Sequence, residues 1–213
     1  MSKSEEKTYY GQFNPSVDKL LHQHFFPDKW DGVSLEAGAF DGVFDNNTKF
    51  FEDYYNWKTI NVEPLPPIFK DLTINRPKSI NLNAALSNKK GTATLHNPCL
   101  ATYGNRNTWS SLTPSDVYKR SVKAETTFEV ETITYNDLID QLGIDQLDLF
   151  VLDVEGHEME VLESFHEWKI YPSVFVIETG HMSENCKKEL NEKLSSKYEF
   201  KFRSFVNDFY QLR

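Results

Sequence analysis

Cysteine is scarce: 213 residues hold two, Cys99 and Cys186. Two thiols so far apart form neither a disulfide framework nor a CxxC redox or metal pair. Glycine and proline, nine of each, are too few for a disordered or fibrous chain. Basic residues are outnumbered, 23 against 32 acidic, for a net charge of −9. That balance disfavours a dedicated nucleic-acid binder, whose affinity rests on basic contacts to phosphate, and equally a polybasic membrane anchor. No apolar run approaches the roughly 18 residues that a membrane helix needs; the longest clusters, Phe150-Val-Leu152 and Val174-Phe-Val-Ile177, are of strand length. No apolar stretch follows the opening Met-Ser-Lys-Ser-Glu-Glu-Lys, so no signal peptide, no membrane insertion and a cytoplasmic location are expected. The three-glycine diphosphate loop GxGxxG is also missing.

What is present is alternation. Apolar residues make up 39% of the chain, enough for a core at this length. Short apolar runs predict parallel strands at Val33–Ala39, Thr59–Glu63, Ser79–Leu86, Leu147–Asp153 and Ser173–Glu178. Helical spacing between them predicts helices at Asn47–Tyr55, from Pro67 to about Arg76, at Tyr135–Leu142 behind a Thr134 cap, at His157–Trp168 and at Glu184–Lys197. Gly91–Leu95 and Thr127–Thr132 read as accessory antiparallel strands, and Tyr198–Phe202 with Phe205–Leu212 as a terminal antiparallel hairpin. The fold expected is α/β: a Rossmann-like, mostly parallel seven-stranded sheet with helices on both faces. Residues 1–30 are expected to form a helical segment packing on a domain of residues 31–213.

In such folds the ligand lies outside the carboxyl ends of the strands, where the strand order reverses. Strand 1 ends in Glu36-Ala-Gly-Ala-Phe-Asp-Gly42; Gly38 permits a tight turn, while Glu36 and Asp41 would repel a diphosphate and suit a cationic ligand. Strand 2 ends in Glu63, a carboxylate able to accept both hydroxyls of a ribose. Strand 3 ends in Asn83-Ala-Ala, small enough for a flat ring or for ordinary packing. An adenosine-type ligand without a phosphate cradle favours S-adenosylmethionine over a nicotinamide dinucleotide. Strand 4 ends in Asp153-Val-Glu155-Gly-His157-Glu158, four ionisable groups in six residues. His157 and Asp153 are candidates to take a proton from an acceptor, with the helix dipole and the neighbouring acids pulling the imidazole in opposite directions. Strand 5 ends in Glu178, with His181 close behind. Asp153 and Glu178 suit either a shared Mg²⁺ or a division of labour, one holding a substrate hydroxyl and the other bonded to loop backbone.

The connection from about 96 to 126 is long for a compact domain and carries Tyr103, Arg106, Trp109, Ser110 and Ser111. Aromatic faces beside polar groups suit a sugar ring, so this stretch is read as an acceptor lid.

The set Leu35-Glu-Ala-Gly-Ala-Phe-Asp-Gly42, Asn46-Asn-Thr-Lys-Phe-Phe-Glu52, Asn61-Val-Glu-Pro64, Asn83-Ala-Ala-Leu-Ser87, Trp109-Ser-Ser-Leu112 and Leu152-Asp-Val-Glu-Gly-His-Glu158 resembles the FkbM family of S-adenosylmethionine-dependent O-methyltransferases. Tyr10-Gly-Gln12 is similar to the segment that precedes the first strand there. The resemblance covers about Tyr10 to Glu178, with the motifs in order. It implies that Glu36, Gly38, Ala39, Asp41 and Thr48 surround the methionine end of the cofactor. Glu63 would hold the ribose, and the Asn83, Ala84 edge would face the adenine. Asp153, Glu155 and His157 would flank the acceptor, with Trp109, Ser110, Ser111, Arg106, Tyr103, Glu178 and His181 as acceptor contacts. The implied acceptor is a sugar hydroxyl, within a glycan or glycoconjugate. Mg²⁺ stays open, and so does a place as one domain of a larger glycan-modifying polypeptide. Two other readings stand beside it: a nicotinamide-dependent oxidoreductase, and an inactive Rossmann-like module that binds glycans.

Overall fold

The structure, a computed structural model, describes residues 7–98, 109–114, 119–120, 122 and 124–213. Its strands are β1 (Val33–Ala37), β2 (Lys58–Val62), β3 (Ile80–Leu82), β4 (Ala85–Leu86), β5 (Gly91–Pro98), β6 (Glu125–Ile133), β7 (Leu149–Leu152), β8 (Val174–Glu178), β9 (Tyr198–Ser204) and β10 (Asn207–Leu212). The main sheet runs β3-β2-β1-β7-β8-β10-β9. The first five are parallel, and β10 runs antiparallel to both β8 and β9. The order reverses between β1 and β7, as the sequence predicted.

Period-2 alternation assigns the two faces. Phe150 and Leu152 of β7, with Phe175 and Ile177 of β8, face a core completed by Tyr135, Leu138, Trp168, Leu190 and Leu194. Leu149, Val151, Val174 and Val176 face the opposite core, with Leu20, Leu21, Phe50, Phe51 and Trp57. Both faces are thus covered: one by α4 (Tyr135–Leu142) and α6 (Glu184–Leu194), the other by α1 (Val17–His24) and α2 (Lys49–Tyr55). α3 (Pro66–Asn75) starts with proline, whose fixed φ and missing N–H suit a first helical turn. Thr134 caps α4, accepting a hydrogen bond from the Asp137 N–H. Among the described residues no helix is long and apolar enough to cross a membrane.

Two predicted elements are divided. The strand expected over Ser79–Leu86 splits into β3, in the main sheet, and β4, which joins β6 and β5 in a small second sheet. Asn83 makes the break: its side-chain amide donates to the carbonyls of Glu63 and Pro64, turning the chain out of the first sheet. The helix expected over His157–Trp168 is a single turn, α5 (Glu158–Val161), followed by a 3₁₀ turn at Phe165–Glu167. The tighter i to i+3 bonds seat Trp168 on Tyr135, ring centroids 3.9 Å apart. β5 and β6 also reach further than expected, so the long connection shrinks to 99–124.

Candidate active site

The turns after β1, β2, β7 and β8 meet at one cleft. Gly38 has φ +84°, and a Cβ there would lie 1.8 Å from the Asp153 carbonyl oxygen. Only glycine lets the β1 and β7 turns pack this closely. The cleft is lined by Gly38, Ala39, Glu63, Ala84, Trp109, Ser110, Asp153, Glu155, His157 and Glu178, all anticipated from the sequence.

Other anticipated residues serve the walls instead. Glu36 is buried, and its carboxylate accepts hydrogen bonds from the Asn47 N–H, the Asn47 amide, the Thr48 N–H and the Thr48 hydroxyl. Leu35 and Ala37 point into one core, so Glu36 points to the other face, at the start of α2. Glu36 and Thr48 therefore shape the turn and do not line the cleft. Asp41 likewise accepts from the N–H groups of Val43 and Phe44, outside the lining. Asn83 is spent on backbone carbonyls, as above. Ser111 is buried, pairing with His96 across β5, and its hydroxyl accepts the Thr113 N–H. Tyr103 and Arg106 lie outside the described residues.

Glu63 is nearly covered. Its carboxylate accepts the N–H groups of Phe40 (3.0 Å) and Leu65 (2.8 Å). Burial outweighs these donors and pushes its pKa up to about 7.

The opposite wall is more acidic. Asp153 and Glu155 have no side-chain hydrogen bond among the described residues, and their pKa values lie well above the usual carboxylate range. Burial is the main cause, reinforced by Glu178 and Glu158. Glu155 sits at φ +55°, an uncommon conformation for a side chain that is not glycine.

His157 is buried with both ring nitrogens engaged: Nε2 with the Ser87 hydroxyl at 2.9 Å, Nδ1 with that of Thr113 at 2.7 Å. Its pKa is lowered, and burial is the cause; the adjacent helix is a single turn, and Glu160 and Glu158 pull the other way. His157 thus joins the turn after β4 to the segment 109–114, which supplies Trp109, Ser110 and Leu112 to the cleft.

Asp153 and Glu178, read from the sequence as suiting a shared Mg²⁺ or a division of labour, both line the cleft. Among the described residues, the cluster of metal-ligating side chains is Glu158, Glu178 and His181, with ligand atoms within 4.8 Å of one another. His181 places Nε2 2.7 Å from Glu158 and Nδ1 3.0 Å from Glu178. Burial lowers its pKa, but these two hydrogen bonds prevail and raise it to about 11.

Sequence reasoning missed Gln12, Phe44, Asp45, Asn47 and Asn207, which also line the cleft. Gln12 arrives because Gly11 bridges to Asp45, and Asn207 because β10 pairs it opposite Glu178. The Tyr10-Gly-Gln12 segment had been singled out, and that was a signal for Gln12; Asn207 had none.

A family model, the methyltransferase FkbM domain, matches residues 36–202. No curated protein matches the chain. Among solved structures, the chain is similar to methyltransferase FkbM from Methylobacillus flagellatus KT, with 13% identity and a TM-score of 0.55. That alignment covers 89% of this chain and 47% of the other, so this chain spans about half its length. A fibrillarin pre-rRNA processing protein of Methanococcus jannaschii aligns with 13% identity and a TM-score of 0.52, covering 94% and 74%. At these identities the likeness is one of fold.

Proposed function

The chain belongs to the FkbM methyltransferase family, and from that premise we propose that its cleft binds S-adenosylmethionine and transfers the methyl group to a hydroxyl of a sugar, within a glycan or glycoconjugate. The observation that carries this reading is the pairing of two walls. Glu63 faces the cleft from the end of β2, and Asp153, Glu155 and Glu178 face it from the ends of β7 and β8. Bound S-adenosylmethionine supplies a methyl group on a positively charged sulfur, together with an ammonium group.

The residues present fit that ligand. Acids surround the cleft, which disfavours a diphosphate and favours a cation. Glu63 accepts the ribose hydroxyls with the oxygen lone pairs left over from Phe40 and Leu65. Ala84 leaves room at the edge for a flat base. Gly38 keeps the backbone of the β1 turn close against Asp153, so both walls reach one small ligand.

A sugar hydroxyl needs a base within about 3 Å. With both nitrogens of His157 engaged by hydroxyls, this role falls to Asp153, which has no competing hydrogen bond among the described residues. Burial, reinforced by Glu178, Glu155 and Glu158, raises its proton affinity, which suits a group that must take a proton. Trp109 and Ser110, at the mouth, offer a ring face and a hydroxyl to the acceptor.

The test has two stages. Calorimetry with S-adenosylhomocysteine should show stoichiometric binding, and thermal unfolding should shift upward with it. Labelled S-adenosylmethionine should then transfer its methyl to a panel of mono- and oligosaccharides, giving an acid-stable ether. Absence of binding at millimolar S-adenosylhomocysteine overturns the cofactor; binding with labelled product only on non-carbohydrate hydroxyls overturns the sugar.

A further inference from the structure

We propose that Gln12, Asn207 and the stacked rings of Phe13 and Phe205 form a second carbohydrate subsite beside the methyl-transfer cleft, so that the acceptor is an uncharged oligosaccharide held by at least two of its sugar units. Asn207 is only 5% exposed, yet it lines the cleft, and its side-chain amide has no hydrogen-bond partner among the described residues. That amide is not among the polar atoms sealed away in the core. Gln12 also lines the cleft, and its amide is likewise unpartnered among the described residues. An amide both donates and accepts, as does a sugar hydroxyl, so this pair matches a ligand rich in hydroxyls.

Each amide stands next to an exposed ring. Phe13 follows Gln12, and Phe205 lies just ahead of Asn207 in the β9–β10 turn. The two rings stack on each other, centroids 4.5 Å apart and 9° from parallel, while 37% and 57% exposed. Both residues take positive φ, +73° and +52°, which is rare for bulky side chains and persists only where neighbouring structure imposes it. The bridge from Gly11 to Asp45 holds the first. The Thr179 N–H and hydroxyl, both donating to the Val206 carbonyl, hold the second. The stack therefore joins a segment tied to the β1 side of the cleft to the turn tied to the end of β8. Sugar C–H groups carry partial positive charge and pack on the negative face of an aromatic ring. A pyranose sets that face on the pair while its hydroxyls reach the two amides. An acyl chain would instead bury both amides without partners, a costly arrangement. A sugar carrying its own carboxylate or phosphate would meet Glu178, which lies opposite Asn207 in the β8–β10 register. The acceptor role rests on the methyl-transfer reading; the sugar binding does not.

The experiment uses the full chain with ¹³C-labelled phenylalanine rings and no cofactor. Phe13→Leu and Phe205→Leu identify the two rings among the sixteen phenylalanines by their loss. The probes are neutral homotrisaccharides of glucose, mannose, galactose and N-acetylglucosamine, the matching monosaccharides, trigalacturonate and phosphatidylcholine vesicles. The expected result is that a neutral trisaccharide shifts both ring signals and binds about tenfold more tightly than its monosaccharide, the scale of one stacked ring. Trigalacturonate should leave the rings unmoved, and Phe205→Leu should erase the trisaccharide's advantage. No shift with any trisaccharide at high millimolar concentration overturns the subsite. So does equal affinity for mono- and trisaccharide, or an advantage that survives Phe205→Leu. A shift by trigalacturonate as strong as by the neutral sugars overturns the uncharged ligand. Broadening by vesicles with no response to sugars makes the pair a lipid contact and overturns the proposal. Ring shifts without methyl transfer to the same trisaccharide would sink the transfer reading and keep the subsite; transfer without ring shifts would do the reverse.

Discussion

The two walls of the cleft use carboxylates in opposite ways. On the β1–β2 side, Glu36, Asp41 and Glu63 each accept at least two backbone N–H groups. Those acids tie loops, and their charge is spent on the fold. On the β7–β8 side, Asp153 and Glu155 have no such donors among the described residues, and Glu178 has His181. Their charges face one another, which costs stability and persists because the rest of the fold holds them in place. An acid paired to backbone amides shapes a site, and an acid left facing other acids awaits a cation or a proton.

The sharpest way to break this contrast is to neutralise one acid on each side. Asp153→Asn keeps the shape and removes the base. Transfer should fall by about 10²- to 10⁴-fold, the usual worth of a general base, while S-adenosylhomocysteine still binds and Tm holds or rises. Turnover near wild type would remove Asp153 from the chemistry. Glu36→Ala should do the reverse. It strands buried donors at Asn47 and Thr48, each costing about 1–3 kcal/mol when unsatisfied. Urea unfolding should therefore show a loss of about 3 kcal/mol. An unchanged midpoint would mean the turn is held by something else.

Glu63 stands between the two cases, bonded to backbone yet raised to about 7. A carboxyl whose folded pKa lies above its unfolded value stabilises the fold fully below the unfolded value, near 4.5, and that contribution is lost as pH rises through about 7. Ligand hydroxyls donate best to the ionised form. Affinity for S-adenosylhomocysteine should thus strengthen between pH 6 and pH 8. Glu63→Gln should flatten that profile and weaken binding roughly tenfold at pH 8, about 1.4 kcal/mol. A wild-type profile already flat across this range would contradict the ribose assignment.

How much of this was legible in the sequence depends on how far each signal had to travel. The apolar runs at Leu149–Leu152 and Val174–Ile177 are local, so strands, order and switch point followed. The acids at the strand ends were visible, but their roles were not. Glu36 lies between Leu35 and Ala37, and period-2 geometry turns it to the face opposite those core residues. Asn83 divided a strand through side-chain bonds to carbonyls of the turn after β2, which no local pattern encodes. Gln12 and Asn207 reach the cleft through pairings with Asp45 and Glu178, distant in the chain. The pairing of His181 with Glu158 likewise depends on a turn and a strand end meeting in space.

His157 gives the smallest expected effect and the finest discrimination. As the base, it would lose nearly all turnover on His157→Gln, and Thr113→Val would scarcely matter. As the tie between Ser87 and Thr113, it works only through those hydroxyls. Thr113→Val then removes one hydrogen bond, about 1 kcal/mol, and loosens the segment that brings Trp109 and Ser110 to the cleft. Each single variant should lower turnover by about tenfold or less, the 1.4 kcal/mol scale of one such bond. The double variant should be little worse than either, since groups joined in one interaction are not additive. Independent effects that multiply, with His157→Gln alone falling by a thousandfold, would return the proton to the imidazole and leave Asp153 as the group that orients the acceptor.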